Sequence, residues 1–501
     1  MQLLLLLFTW PFQVISYNFL VYSPLFGHSH TTFMGALADI LTENGHGVTY
    51  LAPVVNYKLE GKFAVKLTKN IITTKATPGM IEAINALDSK DYSKIWTSSG
   101  SVMELMKMRE NFQKAFLGQC QNLFEEKWIL EKLSETKFDV LLQEPFSYCP
   151  YGIAEQLNIP TTLLGISLSS IDLISYHIGE PLAPSYVPGS FADSGDDMSL
   201  LERVRNLIQI SMGMYMMSSP LGVERELIKG LTGIELKEYS YYISSAPFVF
   251  TNSNPYFDFP HPTIAKNVQI GGVTLNLTEL RAAKVYDEVL NRRNKNVLVS
   301  FGSMVKSEAM PQEYKDSLIA TFKKFPDVTF IWKYENEDTS FAEGVDNVYF
   351  SEWLPQTALL NDPRLTAFIT HGGLGSTTEL AYLGKPALMI PIFGDQYRNC
   401  HMLERHGGII RITKYSESAS LLAKILEDQP QNPAETFLKH AEFAAKYGPI
   451  KNMDPHGRKL SLVQYYFIDV IAILLIVTLF FCFVFYNVVK CFLKSEKRKI
   501  E

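Results

Sequence analysis

The sequence predicts an α/β protein with two doubly wound, parallel-sheet domains facing across a cleft, followed by a C-terminal transmembrane helix. Three observations carry this. Strand and helix signals alternate through both halves of the chain, the pattern of parallel strands joined by helical crossovers. The 501 residues exceed what one hydrophobic core organises, so the soluble part should divide into two domains of about 200 residues each. Near the end, the 20-residue stretch 470–489 has Thr478 and Asn487 as its only clearly polar members. That length crosses roughly 30 Å of hydrocarbon at about 1.5 Å per residue.

Composition removes several classes of function. With 47% hydrophobic and 20% charged residues, and 30 Gly and 25 Pro spread without a repeat, the chain is neither disordered nor fibrous. A net charge of −6 provides no general cationic field, which argues against nucleic acid and towards small molecules as partners. Two of the five cysteines, Cys482 and Cys491, lie in or beside the apolar stretch. Cys120, Cys149 and Cys400 remain, without CxxC spacing, so neither a zinc site nor a disulfide framework is indicated. Whether any of the three pair is left open.

In chain order, residues 1–16 read as a signal peptide, with an apolar run from Leu3 to Trp10 too short to span a bilayer and no Lys or Arg before it. Residues 18–23 read as a buried strand, 31–43 as a helix with Phe33, Leu37, Ile40 and Leu41 on one face, and 48–52 as the next strand. Gly45 stops the helix, completing a βαβ unit. A strand at 138–142 precedes a helix at 150–157 and a strand at 161–165. Scattered Met, Phe and Tyr in 55–130 and 170–245 predict loops and helices around a hydrophobic cleft. The Pro-rich stretch 254–262 marks a linker. Beyond it, strands are expected at 297–300, 328–332, 367–370, 387–390 and 409–412, with helices at 312–325 and 375–382 among them. Ligands of such sheets lie at the carboxyl ends of the strands.

After the apolar stretch, Lys490, Lys494, Lys497, Arg498 and Lys499 outweigh Glu496 and Glu501, which makes the tail cytoplasmic by the positive-inside rule. The rest of the chain then faces a lumen or the exterior, as a type I single-pass protein. The ending Lys497-Arg498-Lys499-Ile500-Glu501 resembles a dilysine retrieval signal and places the expectation at the endoplasmic reticulum membrane. Asn276-Leu277-Thr278 is an N-glycosylation acceptor permitted by that orientation.

The richest chemistry is in the second domain. Phe368-Ile369-Thr370 leads into His371-Gly372-Gly373-Leu374-Gly375-Ser376-Thr377-Thr378-Glu379. A strand ending in His and two glycines, then hydroxyl residues opening a helix, offers backbone N–H groups and a helix dipole to an anion. It is a phosphate-binding turn by mechanism, with neither a Walker sequence nor a GxGxxG fingerprint.

The stretch from Trp353-Leu354-Pro355-Gln356 through His371-Gly372-Gly373 and Glu379 to Asp395-Gln396 resembles the 44-residue nucleotide-sugar signature of UDP-glycosyltransferases, the membrane-anchored animal enzymes above all. The similarity runs over nearly the whole chain, through Gly45-His46-Gly47-Val48-Thr49 and Ser300-Phe301-Gly302-Ser303. It implies a GT-B fold. Trp353 would stack on uracil and Gln356 would bond to the base or ribose. His371, Ser376 and the backbone at Gly373 and Gly375, with Ser303 opposite, would hold the diphosphate. Glu379 would accept both ribose hydroxyls, a carboxylate having two oxygens for a vicinal diol. Asp395 and Gln396 would fix the sugar hydroxyls. Gly375 is a departure, because vertebrate members commonly carry Asn there. The implied organisation is signal peptide 1–16, acceptor-binding domain 17–250, linker 251–275, UDP-sugar-binding domain 276–446, membrane-proximal segment 447–469, transmembrane helix 470–489 and cytoplasmic tail 490–501.

The catalytic group should come from the first domain. The family's catalytic His lies 16 residues before the Gly-His pair, which points to His30 in Gly27-His28-Ser29-His30. Imidazole suits a general base because its ordinary pKa is about 6.5; His28 is the competing base. Glu144 occupies the family's Asp position and would orient His30, one methylene longer than the aspartate. Asp139 is the alternative carboxylate and has the wrong register for the cleft.

The expected chemistry is one inverting displacement: His30 deprotonates an acceptor hydroxyl, which attacks the anomeric carbon of the UDP-sugar as UDP leaves. The diphosphate is held by helix N-terminal amides and His371, so neither metal nor cofactor is expected, and no DxD-like pair appears at the turn. The acceptor is a small lipophilic hydroxyl compound, as in detoxification. Glucuronosyl members resemble this chain before the second domain but place an Arg where Asn252 aligns, which leans the donor from UDP-glucuronate to UDP-glucose. A catalytically silent UDP-sugar-binding protein and a structural membrane glycoprotein are the competing readings. The sequence leaves homo-oligomer formation open.

Overall fold

The computed structural model describes residues 16–88, 96, 102–218, 221–275, 284–303, 305–407 and 415–500. Residues 1–15 of the expected signal peptide, Asn276 and the strand expected at 409–412 lie outside the described residues. The chain forms two compact units, Met1–Met453 and Asp454–Glu501.

The first unit holds two parallel sheets. Its seven-stranded sheet contains β1 (Asn18–Tyr22), β2 (Gly47–Leu51), β3 (Asn70–Ile72), β4 (Val140–Gln143), β5 (Thr161–Ile166), β6 (Val249–Thr251) and β7 (Asn267–Gln269), in the order β3-β2-β1-β4-β5-β6-β7. The run Phe19-Leu20-Val21-Tyr22 shows why β1 is central: side chains alternate across a strand, and both faces here are dry. Phe19 and Val21 join one core cluster, while Leu20 and Tyr22 join the cluster on the other face. The strand order reverses beside β1, where parallel α/β sheets open a crevice for ligands.

The five-stranded sheet contains β8 (Lys295–Ser300), β9 (Val328–Lys333), β10 (Val348–Ser351), β11 (Leu365–Thr370) and β12 (Ala387–Met389), ordered β10-β9-β8-β11-β12. It alternates in the same way, Ile331 packing with one cluster and Phe330 and Trp332 with the other. The helices Gln312–Phe322 and Leu374–Leu383 fall where sequence periodicity places them.

Three expectations are corrected, and the cysteine pairing left open by the sequence is answered. The first helix, α1 (His28–Glu43), begins three residues earlier than expected, with Gly27 as its N-cap, so both candidate histidines sit in its first turn. The stretch 251–275 is not simply a linker, because it supplies β7 to the first sheet and buries Val268 and Ile270; a three-residue strand is too short to show a period. The helix Pro433–Tyr447, grouped by sequence with the second domain, packs Phe437, Ala441 and Ala444 onto the first sheet's core, with Phe437 and Phe250 ring centroids 4.8 Å apart. Cys120 and Cys149 form a disulfide between the helix Val102–Glu125 and the start of the helix Cys149–Leu157.

The second unit is dominated by the 33-residue helix Ile468–Ile500. Its segment Ile468–Val488 is long and apolar enough to cross a membrane by length and composition, and none of it is buried.

Candidate active site

Parallel pairing brings the carboxyl ends of three strands together. Tyr22 of β1 lies opposite Gln143 of β4, and Gln143 lies opposite Leu164 of β5. The residues leaving those ends therefore meet: His30 from the first turn of α1, Glu144 directly after β4, and Ser167 directly after β5. His30 Nδ1 is 2.8 Å from Glu144 Oε2 and 2.7 Å from Ser167 Oγ. The other carboxylate oxygen, Glu144 Oε1, accepts the Ser167 backbone N–H at 2.9 Å. Glu144 is 2% exposed and His30 16%. Phe26 and Phe146 pack on the imidazole, with centroids 4.4 and 5.5 Å away. An Nδ1–H directed at a dry carboxylate leaves Nε2 as the basic nitrogen, which is what proton abstraction requires.

The competing groups are placed elsewhere. His28 is exposed and meets the edge of the Trp353 ring at 5.6 Å. Asp139 accepts the Asn18 backbone N–H at 2.8 Å, at the amino end of β1 and β4 and away from His30. Asn252 is buried beside Ser167: its Nδ2 donates to the Ser167 carbonyl at 3.0 Å, while its Oδ1 has no hydrogen-bond partner.

The facing half is built on β11 and the helix that follows. Gly373 is the N-cap of Leu374–Leu383. The His371 ring lies between Gly302 and Gly373, so close that a Cβ on either would stand 2.6 or 2.7 Å from ring atoms. Gly302 also has φ +87°, a conformation that favours glycine. Burial, and then the charge of Lys333, lower the His371 pKa to about 4, so at neutral pH it is an uncharged donor. Lys333 closes β9, donating to the Gly302 carbonyl at 3.1 Å and pairing with Glu335 at 2.6 Å.

Gln356, Ser376 and Glu379 form one cluster. Gln356 Nε2 donates to Ser376 Oγ at 2.9 Å and also to Glu379 Oε2, while Thr357 Oγ1 donates to Glu379 Oε1. Burial raises the Glu379 pKa, opposed by the donors on Thr357 and Gln356. Trp353 is 61% exposed, which leaves a π face open to a planar base. Ser303 and Gly375 are exposed, and an added Cβ at Gly375 would meet nothing within 4 Å.

Asp395 caps the helix Gln396–Arg405, and Asn399 Nδ2 donates to its Oδ2 at 2.8 Å. Burial raises its pKa, offset first by Asn399 and its own backbone N–H and then by His30 and Arg398. The ring contact of His28 with Trp353, at 5.6 Å, joins the two halves. Gln396 does something the sequence did not indicate: its Oε1 accepts the backbone N–H groups of Ile392 and Phe393 at 2.8 and 3.0 Å, bracing the turn before the helix. Arg398, one turn into that helix, is buried in an ion pair with Asp258 at 2.9 Å and donates to Ser169 Oγ at 2.8 Å.

Sequence reasoning missed Ser167, Thr357, Lys333 and Asn399. Ser167 and Lys333 close β5 and β9, where ligands of parallel sheets gather, so the strand ends themselves were the available signal. Among the described residues one grouping has metal-type ligands, Cys120, Cys149 and Glu224, and its sulfurs are joined in the disulfide.

Comparison with known proteins gives a consistent set. Residues 20–414 and 408–500 match the family model described as UDP-glucoronosyl and UDP-glucosyl transferase. The putative UDP-glucuronosyltransferase ugt-47 of Caenorhabditis briggsae is 27% identical over 497 residues, covering 93% of this chain and 91% of that protein. UDP-glucuronosyltransferase 2B17 of Mus musculus is 28% identical over 484 residues, covering 89% of this chain and 88% of that protein. Among solved structures, a UDP-glucosyltransferase from Polygonum tinctorium capable of glucosylating indoxyl, in complex with 3,4-dichloroaniline, superposes with a TM-score of 0.56 at 15% identity, over 85% of this chain and 98% of that one. The likeness is one of fold, GT-B with two parallel α/β sheets.

Proposed function

The chain belongs to the UDP-glucoronosyl and UDP-glucosyl transferase family, and from that premise we propose that His30 and Glu144 make it an inverting transferase of hexose from UDP-glucose to small lipophilic hydroxyl compounds. It is a UDP-glycosyltransferase of GT-B fold. The observation that carries the mechanism is the 2.8 Å contact between His30 Nδ1 and Glu144 Oε2.

His30 Nε2 takes the proton of the acceptor hydroxyl, and the oxygen attacks the anomeric carbon from the side opposite UDP. Glu144 stabilises the resulting imidazolium and keeps the tautomer. The developing charge on the diphosphate is met by the N–H groups at the start of Leu374–Leu383 and by uncharged His371. Trp353 carries the uracil, Gln356 and Glu379 the ribose, and Asp395 and Gln396 the hexose. Neither a metal nor a cofactor has a role in this scheme.

Two features support glucose as the sugar. Arg398, a turn from Asp395, is already neutralised by Asp258, and Asn252 brings no charge to the base side. A glucuronate carboxylate placed beside Asp395 would lack a cation. UDP-glucuronate is the second reading, favoured by the names of the worm and mouse relatives. Competing the two donors in one reaction, with phenols and sterols as acceptors and product mass as readout, tests the choice. A larger kcat/KM for UDP-glucose is expected, and a larger value for UDP-glucuronate would reverse it.

The proposal includes anchoring by Ile468–Val488 in the endoplasmic reticulum membrane, with a cleaved leader at 1–16, a lumenal catalytic unit and a sugar on Asn276. The Cys120–Cys149 disulfide supports an oxidising compartment.

A further inference from the structure

We propose that Arg398 is a positioning residue for the base: it fixes the loop that carries Ser167 against the helix that opens with Asp395 and Gln396, an inference that rests on the transferase reading above. Neighbouring residues of a helix point about 100° apart. In Gln396–Arg405 that turn separates two attachments. Asn399 Nδ2 donates to the Gly372 carbonyl at 3.0 Å and so holds the phosphate turn. Arg398 reaches the other half instead. Its guanidinium donates to Ser169 Oγ at 2.8 Å and to the Pro188 carbonyl at 3.4 Å, and pairs with Asp258 at 2.9 Å. These partners come from three segments: the loop after β5, the stretch before the helix Leu200–Ser218, and the loop after β6. Both members of the ion pair are 1% exposed. Asp258 is fixed in turn, accepting from Ser253 Oγ and from the Phe259 N–H at 2.7 Å each.

The loop that Arg398 grips leads straight to the base. Ser169 is two residues beyond Ser167, whose hydroxyl lies 2.7 Å from His30 Nδ1 and whose N–H holds Glu144. The residues between are tied to the end of β6, because the Asn252 N–H donates to the Leu168 carbonyl at 3.2 Å and its Nδ2 to the Ser167 carbonyl at 3.0 Å. A short loop braced in this way passes on a displacement of Ser169 instead of absorbing it. Taking two charges out of water cancels much of what their pairing gains, so the pair supplies a single arrangement more than stability. A planar guanidinium satisfies Ser169, Pro188 and Asp258 in one orientation, whereas a lysine ammonium is a point charge on a flexible stem. The distance from His30 to the sugar is set by that orientation, and misplacement by about 1 Å can cost about 10²-fold in rate. The other tie from this helix, Arg405 to Asp196 at 2.8 Å, is partly exposed and contributes little.

The test is a double-mutant cycle on the full-length enzyme in detergent, combining Arg398→Lys with His30→Ala. Transfer to a simple phenol is measured with whichever of UDP-glucose and UDP-glucuronate the wild type uses faster, alongside UDP affinity by calorimetry. Arg398→Lys alone should lower kcat at least about ten-fold. In the His30→Ala background it should lower the residual rate by less than about three-fold, because the base it positions is gone. UDP affinity should stay within a few-fold throughout. Ser169→Ala keeps the ion pair but frees the loop, so it should show the same non-additivity with a loss of about three- to ten-fold, and it covers the case in which Arg398→Lys does not fold. Equal losses in both backgrounds would make Arg398 a structural element and overturn the proposal, as would wild-type turnover by both variants. Weaker UDP binding without a fall in kcat would assign the effect to the donor and overturn it too. A wild type that transfers neither sugar would overturn the transferase reading, and this proposal with it.

Discussion

Glu144 Oε2 lies 2.8 Å from His30 Nδ1, although its side chain is one methylene longer than the aspartate implied by the family resemblance. The extra length is taken up because Oε1 is held by the Ser167 backbone N–H at 2.9 Å, so the carboxylate is fixed from two sides. Glu144→Gln keeps the shape but removes the charge that stabilises the imidazolium, and its amide can turn an N–H towards Nδ1 and reverse the tautomer. We expect kcat to fall by about 10² to 10⁴. UDP affinity should stay within a few-fold, because the proposed mechanism assigns Glu144 to the acceptor side. Steady-state rates and calorimetry on the same preparation check both halves, and near-normal turnover would remove Glu144 from the mechanism.

Glu379 reads out the donor side instead. Its two oxygens each accept a hydrogen bond, one from Gln356 and one from Thr357. Glu379→Ala removes a charged acceptor from a half-buried cluster, a loss of about 1.5 to 3 kcal/mol or roughly ten- to hundred-fold in the Kd for UDP. Calorimetry with UDP alone measures it. An unchanged Kd would argue that the ribose is held elsewhere.

His371 titrates at about 4 in the folded chain, against about 6.5 for an unperturbed imidazole. Because the folded value is the lower one, the unfolded chain binds the extra proton between these two pH values. Stability therefore rises with pH from about 4 to 6.5, and the part present at neutral pH is lost as pH falls through that window. Glu379 and Asp395, raised by burial, act in the opposite sense in the carboxylate range. Comparing wild type with His371→Gln isolates the imidazole. The wild-type Tm should fall more steeply than that of the variant between pH 6.5 and 4, and parallel curves would contradict a neutral His371.

Gly375 offers a gain of function. It is exposed in the first turn of the phosphate-turn helix, with open space around an added Cβ. Gly375→Asn should fold with an unchanged Tm and bind UDP more tightly, by about 0.5 to 1.5 kcal/mol or up to roughly ten-fold, if its amide reaches a phosphate oxygen. Weaker binding would show that the turn does not face the diphosphate.

The legible parts of the chain were those with a period or a spacing. Fully buried strands such as β1 appear as continuous apolar runs, and helices such as Leu374–Leu383 carry glycine punctuation at both ends. β3, β6 and β7 have three residues each, too few for any period, and β10 is nowhere fully buried, so its alternation is weak. At the site, His30 could be named from its fixed offset to the Gly45-His46 pair, and Glu144 from the family position it occupies. Ser167 and Lys333 could not: neither has a motif, and each is brought in by parallel pairing alone. Gln396 was named, but its bracing of Ile392 and Phe393 depends on a backbone turn that residue identity does not encode.

The most direct test compares wild type and His30→Ala, both full length in detergent, with UDP-glucose and a simple phenol, following product mass, anomeric configuration by NMR and UDP affinity. The account predicts a β-glucoside from wild type and a rate at least about 10²-fold lower from the variant, with UDP affinity retained within a few-fold. A variant that turns over at the wild-type rate, an α-linked product, or a wild type that binds UDP and transfers no sugar would contradict it.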